Sequence, residues 1–94
     1  MRGVVEFDWN AGNREKCQKH GISIAEIEAV FQRKPRTGID AAHSLVEERF
    51  IAIDFKGAGR PIFIVFTMRD MNGRQVIRPI SARYMHQKEL DCHA

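Results

Sequence analysis

Apolar residues run almost without interruption from Ile62 to Met68, and this pattern predicts a β-strand that is buried on both faces. Asn72-Gly73 follows, and a second stretch with apolar residues continues to Arg83. Asn and Gly both tolerate the positive φ of a type I′ turn, so residues 60–83 are predicted to form a β-hairpin. The arms of the hairpin carry Arg69, Arg74, Arg78 and Arg83.

The N-terminal part predicts a short strand followed by a polar helix. Residues Val4–Trp9 alternate weakly between apolar and polar, as a short strand does. Asp8 or Asn10 offers an N-cap for a helix over residues 13–20. Gly21 suits the left-handed position that follows a helix end, so we expect the helix to stop there.

A second helix has stronger start and stop signals. Ser23 and Glu26 form a capping box, and Ile22 and Ile27 occupy the positions of a hydrophobic staple around it. Pro35 ends the helix near residue 33. The apolar positions Ile24, Ile27, Val30 and Phe31 recur at helical spacing and predict the buried face.

The remaining elements complete one α+β domain over residues 1–94. We expect a short strand at residues 37–40, a clear strand at residues 47–55 and a short C-terminal helix at residues 84–90. With the hairpin, these strands form a mostly antiparallel meander. The chain has 44% hydrophobic and 29% charged residues, with neither an apolar run long enough to cross a membrane nor an apolar signal core. We therefore expect a cytoplasmic protein in which Cys17 and Cys92 are free thiols.

The hairpin turn also predicts a strand register. It sets Met71 opposite Arg74, Thr67 opposite Arg78 and Val65 opposite Ile80, while the preceding turn sets Ile51 opposite Val65. Directly paired residues share a face, so one face is predicted to hold Arg49, Thr67, Arg69 and Arg78. The other face is predicted to pack on the second helix through Phe50, Ala52, Ile64, Phe66, Met68 and Ile77. Pro79 lacks a backbone donor and indicates an edge strand or a bulge.

Charge is distributed unevenly along the chain. The formal net charge is +3; residues 1–55 hold eight basic and nine acidic residues, whereas residues 56–94 hold seven basic and three acidic ones. Several arginines on one face repel each other unless an anion or acidic side chains neutralise them. A phosphodiester suits the paired donors of guanidinium groups, and the alternative is neutralisation by Glu47, Glu48 and Asp70.

The inventory of reactive residues points away from metal and thiol chemistry. Asp40 and His43 have a spacing that a metal site could use, but no second ligand cluster accompanies them, so we expect no metal and no other cofactor. Arginines and the histidines His20, His43, His86 and His93 remain. This inventory fits metal-independent RNA cleavage, in which a 2′-hydroxyl attacks the adjacent phosphate. Trp9 is either a core anchor or a surface on which a base stacks.

Several short segments together resemble the BrnT toxins of bacterial type II toxin–antitoxin modules. These segments are Phe7-Asp8-Trp9, Asn13, Lys19-His20-Gly21-Ile22-Ser23, Glu48-Arg49-Phe50-Ile51-Ala52 and Ile80-Ser81-Ala82-Arg83. The resemblance implies a RelE-like fold and a ribonuclease that arrests growth. It also implies neutralisation by a BrnA-type antitoxin in a heterotetramer, with contact to DNA only through the antitoxin.

The resemblance, together with the register, gives the candidate site residues. Arg69, Arg83, His20 and His86 are the candidates for catalysis, with either histidine as the proton carrier. Trp9, Lys19, Arg49, Arg78 and Tyr84 are the candidates for binding RNA. Two alternatives are a module that binds RNA or an acidic partner without cleaving, and a toxin that docks its antitoxin after losing its nuclease activity.

Overall fold

In the part of the chain that the structure describes, two helices precede a four-stranded antiparallel sheet. A computed structural model describes residues 6–40, 48–55 and 61–85. The helices are α1 (Ala11–Gln18) and α2 (Ile24–Gln32). The strands are β1 (Arg36–Ile39), β2 (Phe50–Asp54), β3 (Ile62–Met71) and β4 (Arg74–Tyr84), and they lie in the sheet in the order β1-β2-β3-β4. The predicted α+β class and antiparallel meander are confirmed.

Both helices begin at capping boxes. The Ser23 side chain accepts a hydrogen bond from the Glu26 backbone N–H, as the sequence predicts, and α2 ends before Arg33. Helix α1 begins earlier than predicted because Asn10 is its N-cap: the Asn10 side chain accepts from the Asn13 N–H, and the Asn13 side chain accepts from the Asn10 N–H. Gly21 has a φ of +88°, the left-handed geometry expected after the helix.

The core lies between the helices and one face of the sheet. Ile22 and Ile27, the predicted staple, are fully buried there with Val30. The sheet contributes Ala52, Ile62, Ile64, Phe66 and Ala82 to the same cluster. Phe31 packs edge-on against Phe66, with ring centroids 5.0 Å apart. The predicted helix-facing side of the sheet is thus confirmed for its central residues, whereas Met68 is exposed.

The hairpin turn has the predicted conformation, and the first part of its register is correct. Asn72 and Gly73 have φ values of +58° and +82°. Met71 pairs with Arg74, and Thr67 pairs with Arg78. Beyond this point the predicted pairing of Val65 with Ile80 is wrong, because an irregularity beside Val65 and Phe66 pairs Val65 with Ser81.

The predicted terminal elements differ from the structure in the described residues. Residues 6–8 form a single parallel bridge from Phe7 to Ile77 rather than a strand, with Asp8 N–H donating to the Ile77 carbonyl at 2.8 Å. Residues 4 and 5 lie outside the described part. Tyr84 is the last residue of β4, so the predicted C-terminal helix does not begin there. The rest of that helix, from residue 86, lies outside the described residues. No helix in the described part is long and apolar enough to cross a membrane.

Candidate functional site

A bulge in β4 places Arg78 and Arg83 on the same face of the sheet. Their sequence separation is odd, so in a regular strand they would point to opposite faces. In the structure Phe66 pairs with Pro79 and Val65 with Ser81, which leaves Ile80 as the extra residue. Arg78 therefore pairs with Thr67 and Arg83 with Phe63, and these two partners lie on the same face of β3. The bulge changes which arginines can act together.

Two cavities with shared lining residues bring four cationic side chains together. The first, of about 430 Å³, is lined by Arg78 and by residues of α1. The second, of about 380 Å³, is lined by Arg83 and Phe63. Both are lined by Lys16, Arg49 and Ile80. We call the two cavities together the basic groove, with Lys16, Arg49, Arg78 and Arg83 as its cations.

The described lining of the groove carries a net positive charge. It holds four cationic residues and two acids, Glu15 and Asp40. The backbone N–H of Asp40 donates to the Arg49 carbonyl at 2.8 Å, which fixes the end of β1 beside the residue that leads into β2. Asp70, one of the acids considered above as a neutraliser, instead accepts a hydrogen bond from the Gly73 N–H in the hairpin turn. The groove therefore has the charge that suits a bound anion.

Arg83 is held in place by an aromatic ring. Its guanidinium carbon lies 4.5 Å from the ring centroid of Phe63, its cross-strand partner. This cation–π contact uses the face of the guanidinium, and the N–H groups lie in its plane. One terminal nitrogen also donates to the Tyr84 carbonyl at 3.5 Å. Arg83 is thus oriented before any ligand arrives.

Arg78 lies in a more enclosed setting. Its Nε is buried, as is the Oγ1 of its cross-strand partner Thr67, and neither atom has a hydrogen-bond partner within residues 6–40, 48–55 and 61–85. Thr67 is fully buried. A guanidinium that is partly removed from water interacts more strongly with an anion than an exposed one does.

Arg69 lies on the predicted face but does not line the groove. Its guanidinium binds the Asp8 carboxylate at 3.1 Å, and nearby Arg74 binds Glu6 at 2.8 Å. Both acids lie in the N-terminal segment that pairs with β4 at Ile77. The structure therefore brings together Arg49, Arg78 and Arg83 and directs Arg69 to an ion pair elsewhere.

The other predicted site residues lie in varied places. The Trp9 indole N–H donates to Glu28 at 2.9 Å, and its ring packs on the core, which matches the anchor interpretation. Lys19 caps the end of α1 and His20 follows it, and both are exposed. Tyr84 packs against the core, on the face opposite the groove. His86 and His43 lie outside the described residues.

Sequence reasoning did not single out Lys16 and Ile80, the residues that line both cavities together with Arg49. Lys16 lies on α1 beside Asn13 and Cys17, which are both buried and one helical turn apart. That spacing could have indicated that Lys16 borders the buried side of the helix. Ile80 gave no signal of its own; only Pro79, next to it, indicated a bulge.

The described residues offer neither a reactive thiol nor a cluster of metal ligands. Burial raises the pKa of the Cys17 thiol to about 11, although neighbouring Lys16 opposes part of the shift. The protonated thiol is a poor nucleophile and a poor ligand. Within the described ranges, no three His, Cys, Asp or Glu side chains are grouped to hold a metal ion.

Comparison with known proteins gives one family. The family model described as "Ribonuclease toxin, BrnT, of type II toxin-antitoxin system" matches residues 9–89. The match spans α1, α2, all four strands and every cation of the basic groove. A comparison with curated proteins gave no match.

Proposed function

The chain belongs to the BrnT family of type II toxin–antitoxin ribonuclease toxins, and we propose that it cleaves RNA in the basic groove without a metal ion. The observation that supports this proposal is the convergence of Lys16, Arg49, Arg78 and Arg83 on two adjoining cavities. Four cations facing two acids suit a polyanion, and a guanidinium binds phosphate with paired donors. We also propose a RelE-like fold for the family domain.

The chemistry requires a proton acceptor, a proton donor and fixed positive charge. The 2′-oxygen loses its proton to a base and attacks the phosphorus, the bond to the 5′-oxygen breaks, and an acid protonates that leaving oxygen. Negative charge grows on the phosphate oxygens in the transition state. Fixed guanidinium groups stabilise that charge without a metal ion.

Arg83 is the residue that we propose for holding the scissile phosphate. Phe63 fixes its guanidinium at 4.5 Å, so it needs little reorganisation as charge develops. Arg49 and Arg78 bind the flanking backbone. Arg69 joins them only by exchanging its ion pair with Asp8 for RNA.

His20 and His86 are alternative proton carriers, and a pH profile separates them. Histidine titrates near neutrality and can act as either acid or base. We expect that replacing the true carrier with alanine lowers cleavage and removes one limb of the profile. Lys19, which is exposed, is proposed as a contact to RNA outside the cavities, whereas Trp9 and Tyr84 pack on the core.

The decisive experiment is RNA cleavage by the purified chain in the presence of EDTA. We expect cleavage by the wild type and a loss of at least a hundredfold in the Arg83→Ala variant, the order seen when one transition-state donor is removed. Arg74→Ala is the matched control, because Arg74 lies on the same strand and pairs with Glu6 outside the groove. Full cleavage by a folded Arg83→Ala variant would refute the role of Arg83.

A binding module that does not cleave is the second candidate. The described lining of the groove contains cations, Glu15 and Asp40 but no histidine. Binding of RNA with no cleavage at any pH between 5 and 9 would favour a binding module over a nuclease.

The family also gives a partner, an antitoxin. We propose a BrnA-type antitoxin that forms a heterotetramer with the toxin in the cytoplasm and supplies all contact with DNA. Growth arrest on expression of the chain alone, and relief on co-expression of the adjacent gene, would support this. A purified complex of another stoichiometry would refute the heterotetramer.

A further inference from the structure

Each half of the basic groove has its own arginine. Arg78 lines the first cavity and not the second, and Arg83 lines the second and not the first. Lys16, Arg49 and Ile80 line both, so the cavities meet at these three residues. A ligand that fills both cavities therefore passes these three shared residues.

The spacing along β4 separates the two arginines. They are five residues apart, and at about 3.3 Å per residue their Cα atoms lie roughly 16 Å apart, somewhat less because of the bulge. A phosphate oxygen accepts a guanidinium hydrogen bond at about 2.7–2.9 Å. Arg78 lines only the first cavity and Arg83 only the second, so we expect a phosphate bound to Arg83 to lie in a different cavity from one bound to Arg78.

The two arginines also differ in the surroundings of their guanidinium groups. Arg83 lies against the Phe63 ring, which sets its orientation. Arg78 has a buried Nε next to the buried Thr67, which places its charge in an environment of lower dielectric. Two arginines in different surroundings indicate two anion subsites rather than one large subsite.

The size of the cavities limits the ligand. About 430 Å³ and about 380 Å³ are volumes that hold one small ligand each. One nucleotide unit fits this scale, whereas a duplex does not enter such a space. In-line attack by a 2′-oxygen also needs a backbone that can leave regular helical geometry, which a single strand does more easily.

We propose that the basic groove binds one single strand of RNA through two phosphates, one at Arg78 and one at Arg83, with Lys16 and Arg49 between them. This inference rests on the proposed function for the identity of the polyanion as RNA. The Arg83 subsite holds the phosphate that reacts, and the Arg78 subsite anchors its neighbour. Ile80 is the bulged residue that makes both subsites face the same strand of RNA.

Short uncleavable probes can count the subsites. A 2′-O-methyl dinucleotide without terminal phosphate carries one phosphate, and the corresponding trinucleotide carries two; the methyl group blocks attack by the 2′-oxygen. Their dissociation constants would be measured by NMR titration of the wild type, Arg78→Ala, Arg83→Ala, the double variant and the control Arg74→Ala. Arg78→Lys and Arg83→Lys, which keep the charge but lose the fork, replace any alanine variant that fails to fold.

Two subsites give unequal losses on the two probes. Each single alanine variant should weaken the trinucleotide about tenfold, as expected for one charge-assisted contact. It should weaken the dinucleotide only about twofold, because a single phosphate can occupy the subsite that remains. The double variant should lose both probes, and Arg74→Ala should match the wild type. The slope of log K against log salt should be about 0.7 steeper for the trinucleotide in the wild type.

Equal losses on both probes would overturn the inference, since they would mean that both arginines hold the same phosphate. Losses on neither probe would overturn it as well. Cleavage of unmodified RNA is measured separately on the same proteins. If the predicted pattern of losses is found but RNA is not cleaved, the proposed nuclease activity is refuted and the two subsites are supported. If RNA is cleaved but the losses on the two probes are equal, the two subsites are refuted and the nuclease activity is supported.

Discussion

Asn13 gives the sharpest test of how the fold holds the groove, and we predict that Asn13→Ala destabilises the protein by about 3 kcal/mol. Asn13 is 6% exposed. Its Nδ2 donates to the carbonyls of Asp8 and Pro79, each at 2.9 Å, and its Oδ1 accepts from the Asn10 N–H at 2.7 Å. One side chain thus joins the N-terminal segment, the start of α1 and the bulge in β4.

The magnitude follows from these three contacts. Each hydrogen bond contributes about 0.5–1.5 kcal/mol net, and a buried acceptor left without a donor costs about 1–3 kcal/mol. Pro79 is fully buried, so alanine at position 13 takes a hydrogen-bond donor away from a buried carbonyl. A loss of about 3 kcal/mol is a large share of the roughly 5–15 kcal/mol that stabilises a typical domain.

Urea unfolding followed by the fluorescence of Trp9 measures this loss. With a slope of about 1–3 kcal/mol per M, the midpoint should fall by about 1–3 M. Gln18→Ala is the matched control on the same helix: Gln18 is exposed and donates to the Arg14 carbonyl, and its loss should cost no more than about 0.5 kcal/mol. Asn13→Asp, which keeps the acceptor but loses both donors, should be at least as unstable as Asn13→Ala. A change within 0.5 kcal/mol in Asn13→Ala would refute the reasoning.

Three further predictions concern burial, charge and backbone geometry. In a Cys92→Ser background, Cys17 should resist alkylation at pH 8 until urea unfolds the chain, because burial raises the pKa of its thiol to about 11; rapid labelling of the folded protein would contradict this. Arg33→Ala should lower the unfolding free energy by about 2–4 kcal/mol, since Asp54 is 2% exposed and loses an ion-pair partner. The double variant Arg33→Ala/Asp54→Asn should lose less unfolding free energy than Arg33→Ala alone, as a urea double-mutant cycle would show. Gly21→Ala should cost about 1 kcal/mol in the same assay because φ is +88° there, and an unchanged midpoint would count against that geometry.

Local signals in the sequence predicted the elements well because each is decided within a few residues. The capping box at Ser23 and Glu26 set the start of α2, and Asn72-Gly73 set the hairpin turn. The start of α1 was placed too late because Asn13 was taken as the first helix residue, whereas it is the third and its side chain completes the cap on Asn10. Such reciprocal contacts depend on the backbone that they help to form.

The site was harder to predict because it depends on contacts between distant residues. The face of Arg69 followed from the register, but its ion pair with Asp8 joins residues 61 positions apart. Trp9 is similar, since its hydrogen bond to Glu28 spans 19 positions. Composition and spacing identify which side chains can bind phosphate, and only tertiary contacts decide which of them are already engaged.

The bulge at Ile80 shows why one half of the groove followed from the turn and the other half did not. A two-residue turn fixes the pairing of Arg78 with Thr67, because only regular strand lies between them and the turn. Past Pro79 one extra residue shifts the register, and a shift of one residue reverses the face of every later side chain. Arg83 therefore reaches the groove only because Ile80 is bulged, and the Pro79 carbonyl beside that bulge is bound by Asn13 at the start of α1. The helix that supplies Lys16 and the irregularity that supplies Arg83 are thus held by the same side chain, so Asn13→Ala should weaken RNA binding at both subsites as well as the fold.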